Sequence, residues 1–152
     1  PYLGETGGAG KEIKYERGRT AEREPESSKT GYPERTGKEQ YMFYGNPMQW
    51  SRVEFDWGVG KLKFENSEGI RELAFRVGEP ERQTFPGTGY SCECRGEWKA
   101  GHFLLHCYVT DEEQGHVSMD FAWKDRRMSV RMGSTGEPFF RYFRGIGSAE
   151  RV

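Results

Sequence analysis

Cys92, Cys94, His102, His106, Cys107 and His116 lie within one short stretch and carry the side chains best suited to chemistry. Sulfur and imidazole both ligate zinc, but zinc needs four converging donors, and its cysteines commonly stand in Cys-x-x-Cys spacing. Here Cys92 and Cys94 are two apart. In a strand that places them on one face, while His102 and His106 point away from the face that carries Cys107. Neither a metal nor any other cofactor is expected. The thiols read instead as small buried hydrophobes. A turn centred between Ala100 and Gly101 sets Cys94 opposite Cys107, where Cα separations of about 4.5–5.5 Å fall within the range a disulfide spans. An oxidising compartment would join the two, and a reducing one would leave them free. Three cysteines are an odd count, which favours free thiols and a cytoplasmic location. His116 opens a strand beside a turn, with no visible partner for acid–base work. Asp111-Glu112-Glu113 reads as a solvated turn tip.

Nucleophile motifs are incomplete. Gly89-Tyr90-Ser91-Cys92-Glu93 approaches a Gly-x-Ser-x-Gly elbow but lacks its second glycine, and Ser-x-x-Lys does not occur. Lys29-Thr30-Gly31 matches one short element of the penicillin-binding-protein set, yet it sits in a polar stretch rather than on a core strand. No catalytic residue is assigned, and the chain as it stands is not expected to be an enzyme.

The elements that must position these groups are strands. Cys92, Cys94, Gly96 and Trp98 alternate on one face, then Phe103, Leu105, Cys107 and Val109, then Val117, Met119, Phe121 and Trp123, then Met128, Val130 and Met132. A period of two puts each set on one side of a pleated sheet. Lys99-Ala100-Gly101-His102, Asp111 to Gly115 and Lys124-Asp125-Arg126 supply the turns. Upstream, Tyr41–Tyr44, Trp50–Trp57 (Val53, Phe55 and Trp57 in phase), Lys61–Glu65 and Ile70–Val77 (Leu73, Phe75 and Val77 in phase) extend the pattern. Gly78 to Gly89 reads as the longest loop. Phe139, Phe140, Tyr142 and Phe143 read as a last strand, or a helical turn and a strand, packed on an open end. The fold class is all-β: an antiparallel up-and-down meander of about eight strands, forming a lipocalin-like barrel or a strongly curved sheet.

Composition agrees, with aromatics at 14% and 21 glycines among 152 residues, a profile of short strands and many turns. Residues 1–40 differ: large apolar residues are few and charges are interspersed, so they read as a polar linker or N-terminal arm, with Ile13 and Tyr15 as its anchors. Residues 41–152 form the barrel domain. A net charge of -1 predicts no general attraction to nucleic acid or to an anionic membrane. No apolar run approaches the roughly 18 residues of a spanning helix. The chain opens on Pro1 rather than Met, as a processed product or a piece of a longer protein would. The inward aromatics are filler in most barrels, but an eight-stranded barrel can hold one small ligand. The candidate lining is then Trp98, Phe103, Leu105, Phe121 and Trp123, and the partner a small apolar ligand.

A family resemblance rests on the order of several short blocks. They are Thr36-Gly37-Lys38-Glu39-Gln40-Tyr41, Asn46-Pro47, Trp50 to Phe55, Phe85 to Ser91, Gly96-Glu97-Trp98, His106 to Val109, Met119-Asp120-Phe121 and Phe139 to Gly147. Together they resemble the C-terminal domain of bacterial serine hydrolases of the beta-lactamase/penicillin-binding-protein-like family, over about residues 34–150. The resemblance implies a non-catalytic barrel that packs on, or regulates, an upstream catalytic domain, which would be its partner. A stand-alone lipocalin-like binder is the alternative.

Overall fold

The computed structural model describes residues 35–111, 115–136 and 138–152. Ile13, Tyr15, Lys29-Thr30-Gly31, most of the polar arm and the Glu112-Glu113 turn tip lie outside the described residues. Among the described residues eleven strands form one sheet: β1 (Lys38–Phe43), β2 (Arg52–Asp56), β3 (Lys61–Asn66), β4 (Gly69–Ala74), β5 (Arg76–Val77), β6 (Glu81–Thr84), β7 (Ser91–Lys99), β8 (His102–Val109), β9 (Gly115–Lys124), β10 (Arg127–Thr135) and β11 (Gly145–Arg151). A 3-10 turn, Pro138–Phe143, joins the last two. The sheet runs β4-β3-β2-β1-β11-β10-β9-β8-β7, with β5 and β6 both on the free side of β7. Every step along that path up to β7 is antiparallel, and all but β11–β1 join consecutive strands. This is the up-and-down meander that alternation foretold, curled so that β11 pairs back onto β1.

Strand number and three boundaries differ from the sequence reading. β1 begins at Lys38, inside what reads as polar linker, because Glu39 turns inward beside Tyr41. The Ile70–Val77 run is two strands. Leu73 and Phe75 are buried, but Val77 is 51% exposed, so the run does not hold its phase to the end. After Phe75 the chain leaves β3 and pairs in parallel with β7 (Val77 with Gly96). The Gly78–Gly89 stretch, expected as loop, contains β6, which pairs antiparallel with β7 from Glu81–Cys94 to Thr84–Ser91. The aromatic C-terminal stretch is a helical turn followed by a strand.

The sheet is nearly closed, with its seam between β4 and the β5/β6 edge. There the Gln83 side chain acts as a missing strand would. Its Oε1 accepts the Ala74 N–H at 2.9 Å and its Nε2 donates to the Ala74 carbonyl at 2.7 Å. Pairing the edge in this way removes groups that would otherwise invite another chain.

Inside, the predicted faces hold. Val53, Phe55, Cys92, Cys94, Phe103, Leu105, Cys107, Val117, Met119, Phe121, Met128, Val130 and Met132 are all buried. The Phe55 ring on β2 meets Phe103 on β8 at 6.3 Å and Phe121 on β9 at 5.0 Å, so opposite walls touch and the barrel is filled at that level. Gly96 is required for this packing: a Cβ there would stand 2.6 Å from the Phe103 ring. The β7–β8 hairpin turns through Ala100 (φ 53°) and Gly101 (φ 83°), two left-handed residues in a two-residue loop.

Candidate functional site

Three tryptophans gather where β2, β7 and β9 end. Trp57 follows β2, Trp98 is the penultimate residue of β7, and Trp123 is the penultimate residue of β9. Their ring centroids stand 5.4 Å (Trp57–Trp98), 5.6 Å (Trp98–Trp123) and 6.1 Å (Trp57–Trp123) apart. All three are half-buried and rest on the core. Beneath them Phe103 contacts Trp98 at 5.0 Å and Trp57 at 5.1 Å, and Phe55 stacks on Trp57 at 4.5 Å. The cluster is therefore an aromatic floor across one end of the barrel, with a filled core behind it.

Arg35 covers part of this floor. Its guanidinium lies 4.1 Å from the Trp123 ring centre, a cation–π contact. Its Nη1 donates to both carboxylate oxygens of Glu39, at 2.9 and 3.0 Å. Tyr41 donates its hydroxyl hydrogen to Glu39 Oε1 at 3.0 Å. Burial, then the Glu39 charge, raises the Tyr41 pKa, so the phenol stays a donor to the carboxylate. Among the described residues the buried Trp57 Nε1–H and Arg35 Nε–H meet no acceptor.

The five lining candidates divide by depth. Trp98 and Trp123 are half-buried members of the floor. Phe103 and Phe121 lie directly below, fully buried, and Leu105 is buried further along β8 opposite Met119. The rings of the four aromatics touch one another, at 5.0 to 6.4 Å. Arg35 and Glu39 escaped the sequence reading as site residues. Trp57 shared a phase with Phe55, which was signal enough for its face. Nothing in a polar stretch marks Arg35 and Glu39 as part of a barrel end.

At the other end, the start of the 85–90 loop meets the helical turn before β11. Phe85 meets Phe140 and Phe143, each at 5.4 Å, and Phe143 meets Phe64 at 6.1 Å. Pro86, Tyr142, Phe143, Phe64, Asn66 and Arg71 line a shallow cavity of about 10 Å³, room for roughly one water molecule.

The cysteines lie away from the tryptophan floor. Cys94 Sγ is 2.7 Å from Cys107 Sγ, its cross-strand partner, and 3.9 Å from Cys92 Sγ, with all three buried as free thiols. The contact with Cys94, then burial, pushes the Cys92 thiol well above its ordinary range; the contact with Cys107 does the same for Cys94. Thiols held neutral in this way are poor nucleophiles and poor metal ligands. The histidines occupy the outer face. His102 Nδ1 is 2.6 Å from Asp120 Oδ1. His116, which shows no partner in the sequence, has one in the structure: its Nε2 is 3.2 Å from His106 Nδ1.

Strand order and interior together define an antiparallel up-and-down β-barrel of lipocalin-like topology. The sequence matches no protein-family model and no curated protein. Among solved structures the chain is similar to one described as a REP1-NXSQ fatty acid transporter, with 9% identity and a TM-score of 0.49, over 77% of this chain and 95% of that one.

Proposed function

We propose that this chain is a ligand-binding β-barrel whose ligand lies across the tryptophan-floored end, not in a deep interior cavity. The observation that carries this reading is the Trp57–Trp98–Trp123 floor, half-buried, with unmet donors on Trp57 and Arg35 at its edge. A small apolar molecule with one oxygen acceptor fits that arrangement: its body covers the indole faces and its oxygen takes a buried N–H. The filled interior excludes a long ligand threaded through the barrel, since Phe55, Phe103 and Phe121 occupy that path. Titration with Nile red, an apolar dye carrying a carbonyl, tests the reading. Saturable binding with quenched tryptophan emission is expected, and Trp57→Ala should abolish it while leaving the circular dichroism unchanged. No saturation in the parent protein, or unaltered saturation in Trp57→Ala and Trp98→Ala alike, would sink the proposal.

A second reading keeps the barrel as an accessory domain of a serine hydrolase. It rests on the sequence resemblance alone. The reading frame upstream of Pro1 is the test. An in-frame domain with Ser-x-x-Lys supports this reading, and a stop codon directly upstream rejects it.

A further inference from the structure

All three histidines of the chain lie on the outward face of β8 and β9, the opposite side of the sheet from the three thiols. His102 is held by Asp120. His106 and His116 are held by each other, and neither takes part in the tryptophan-floored end. In the β8–β9 register His106 faces Ser118 and Tyr108 faces His116, so the two imidazoles are diagonal neighbours on adjacent strands. Their rings stand 5.4 Å apart, nearly parallel at 12°, and the Tyr108 ring stacks on His116 at 4.5 Å. Both side chains rise from a paired ladder, so both ring positions are set by backbone rather than by loop.

The separation of the facing nitrogens is informative. His106 Nδ1 and His116 Nε2 are 3.2 Å apart. Two nitrogens each about 2.0–2.1 Å from a tetrahedral zinc stand roughly 3.3–3.4 Å from one another. An ion could therefore enter between the rings with little movement of either strand. We propose that the His106–His116 pair is a surface site for a divalent transition-metal ion, with His106 Nδ1 and His116 Nε2 as its two protein ligands. Without metal, one facing nitrogen donates its hydrogen to the other. When the ion enters, that hydrogen moves through solvent to the other nitrogen of the same ring, and both lone pairs turn to the metal. The imidazoles stay neutral, so the step needs no oxidant and no net proton loss.

Imidazole ligation selects zinc, copper or nickel over calcium or magnesium, which prefer oxygen donors. Among the described residues no third His, Cys, Asp or Glu completes a cluster. The remaining coordination positions are thus left to water or to an incoming donor. Neighbouring charge is mixed: Arg95 on β7 faces His106, and Glu93 faces Tyr108 but is engaged by Arg82 at 3.0 Å. The site accordingly holds its ion reversibly.

Isothermal titration of the EDTA-stripped, dialysed protein with ZnCl₂ at pH 7.5 decides the matter. One saturable zinc per chain is expected, with no comparable heat from MgCl₂. His106→Asn and His116→Asn should each weaken zinc binding by on the order of tenfold or more, and His102→Asn should leave it unchanged. Both substituted side chains sit on the outer face, and circular dichroism reports whether each variant is folded. Absence of saturable binding, or full binding retained by the folded double variant, would overturn the site. Equal weakening by His102→Asn would overturn it too, since the ion would then be held loosely by the whole histidine face.

Discussion

At the scale of single residues, backbone conformation and burial make separable predictions. Ala100 sits at φ 53° in the β7–β8 turn, a left-handed conformation that costs an L-residue with a plain methyl about 1–2 kcal/mol. Asparagine tolerates it, and Asn-Gly is the preferred pair for such a loop. Ala100→Asn should therefore stabilise the fold by roughly 0.5–1 kcal/mol, read as a higher urea midpoint with unchanged slope. A lower midpoint would show that the turn is not left-handed at this residue. Phe121 is fully buried with Phe55, Phe103 and Trp123 around it, so Phe121→Ala should cost about 3–5 kcal/mol. Trp98 occupies the same inward phase but stands half-buried at the barrel end, so Trp98→Ala should cost clearly less than Phe121→Ala in the same denaturation series. Equal losses would mean that the tryptophan floor is as closed as the core.

At the scale of elements, the seam is the vulnerable place. β4 and β6 belong to opposite edges of the sheet, and the Gln83 amide satisfies both the N–H and the C=O of Ala74. Gln83→Ala removes both hydrogen bonds to Ala74 and leaves those backbone groups half-buried without partners, at a cost of about 1–3 kcal/mol. Amide exchange should quicken at Ala74 and along β4 while the β8–β9–β10 ladder stays protected. Uniform quickening across all strands would mean that the seam opens only with the whole barrel. Gly96 shows the same dependence of one element on another. It lies in the middle of β7, where a side chain would ordinarily be favoured, yet the Phe103 ring of β8 takes the space a Cβ needs.

At the scale of the whole molecule, buried titratable groups set a pH window for stability. Burial, then the nearby His106, lowers the His116 pKa below its ordinary value of about 6.5. The unfolded chain then binds that proton more readily than the folded one, so stability is complete above about pH 6.5 and falls as pH drops through the lowered folded value. Cys92 and Cys94 act with the opposite sign. Their thiol pKa values are raised, so stability is complete below the ordinary thiol value of about 8.5 and declines as pH rises beyond it. In chelator and reductant, thermal midpoints should form a plateau between about pH 6.5 and 8.5 with a fall on both sides. His116→Asn should flatten the acid shoulder. An acid shoulder unchanged by that substitution would remove His116 as its cause.

The local features of this barrel are those the sequence by itself determined. Alternation assigns the inward faces of β2, β3 and β7 to β10, because a strand's period of two needs no knowledge of its neighbours. A two-residue turn at Ala100-Gly101 likewise fixes the pairing of Cys94 with Cys107, since hairpin register follows from loop length. What depends on separate parts of the chain was decided only by the tertiary structure. The Ile70–Val77 run alternates to its end, yet Val77 leaves β3 for a parallel partner on β7, because the barrel must close there. Arg35 and Glu39 look like polar linker until Trp123 arrives beside Arg35 from the distant strand β9 and Glu39 is buried between Arg35 and Tyr41. His116 has no partner along the chain. It gains His106 only when β8 and β9 lie in register, and a separation of ten positions along the chain becomes a diagonal step across a sheet.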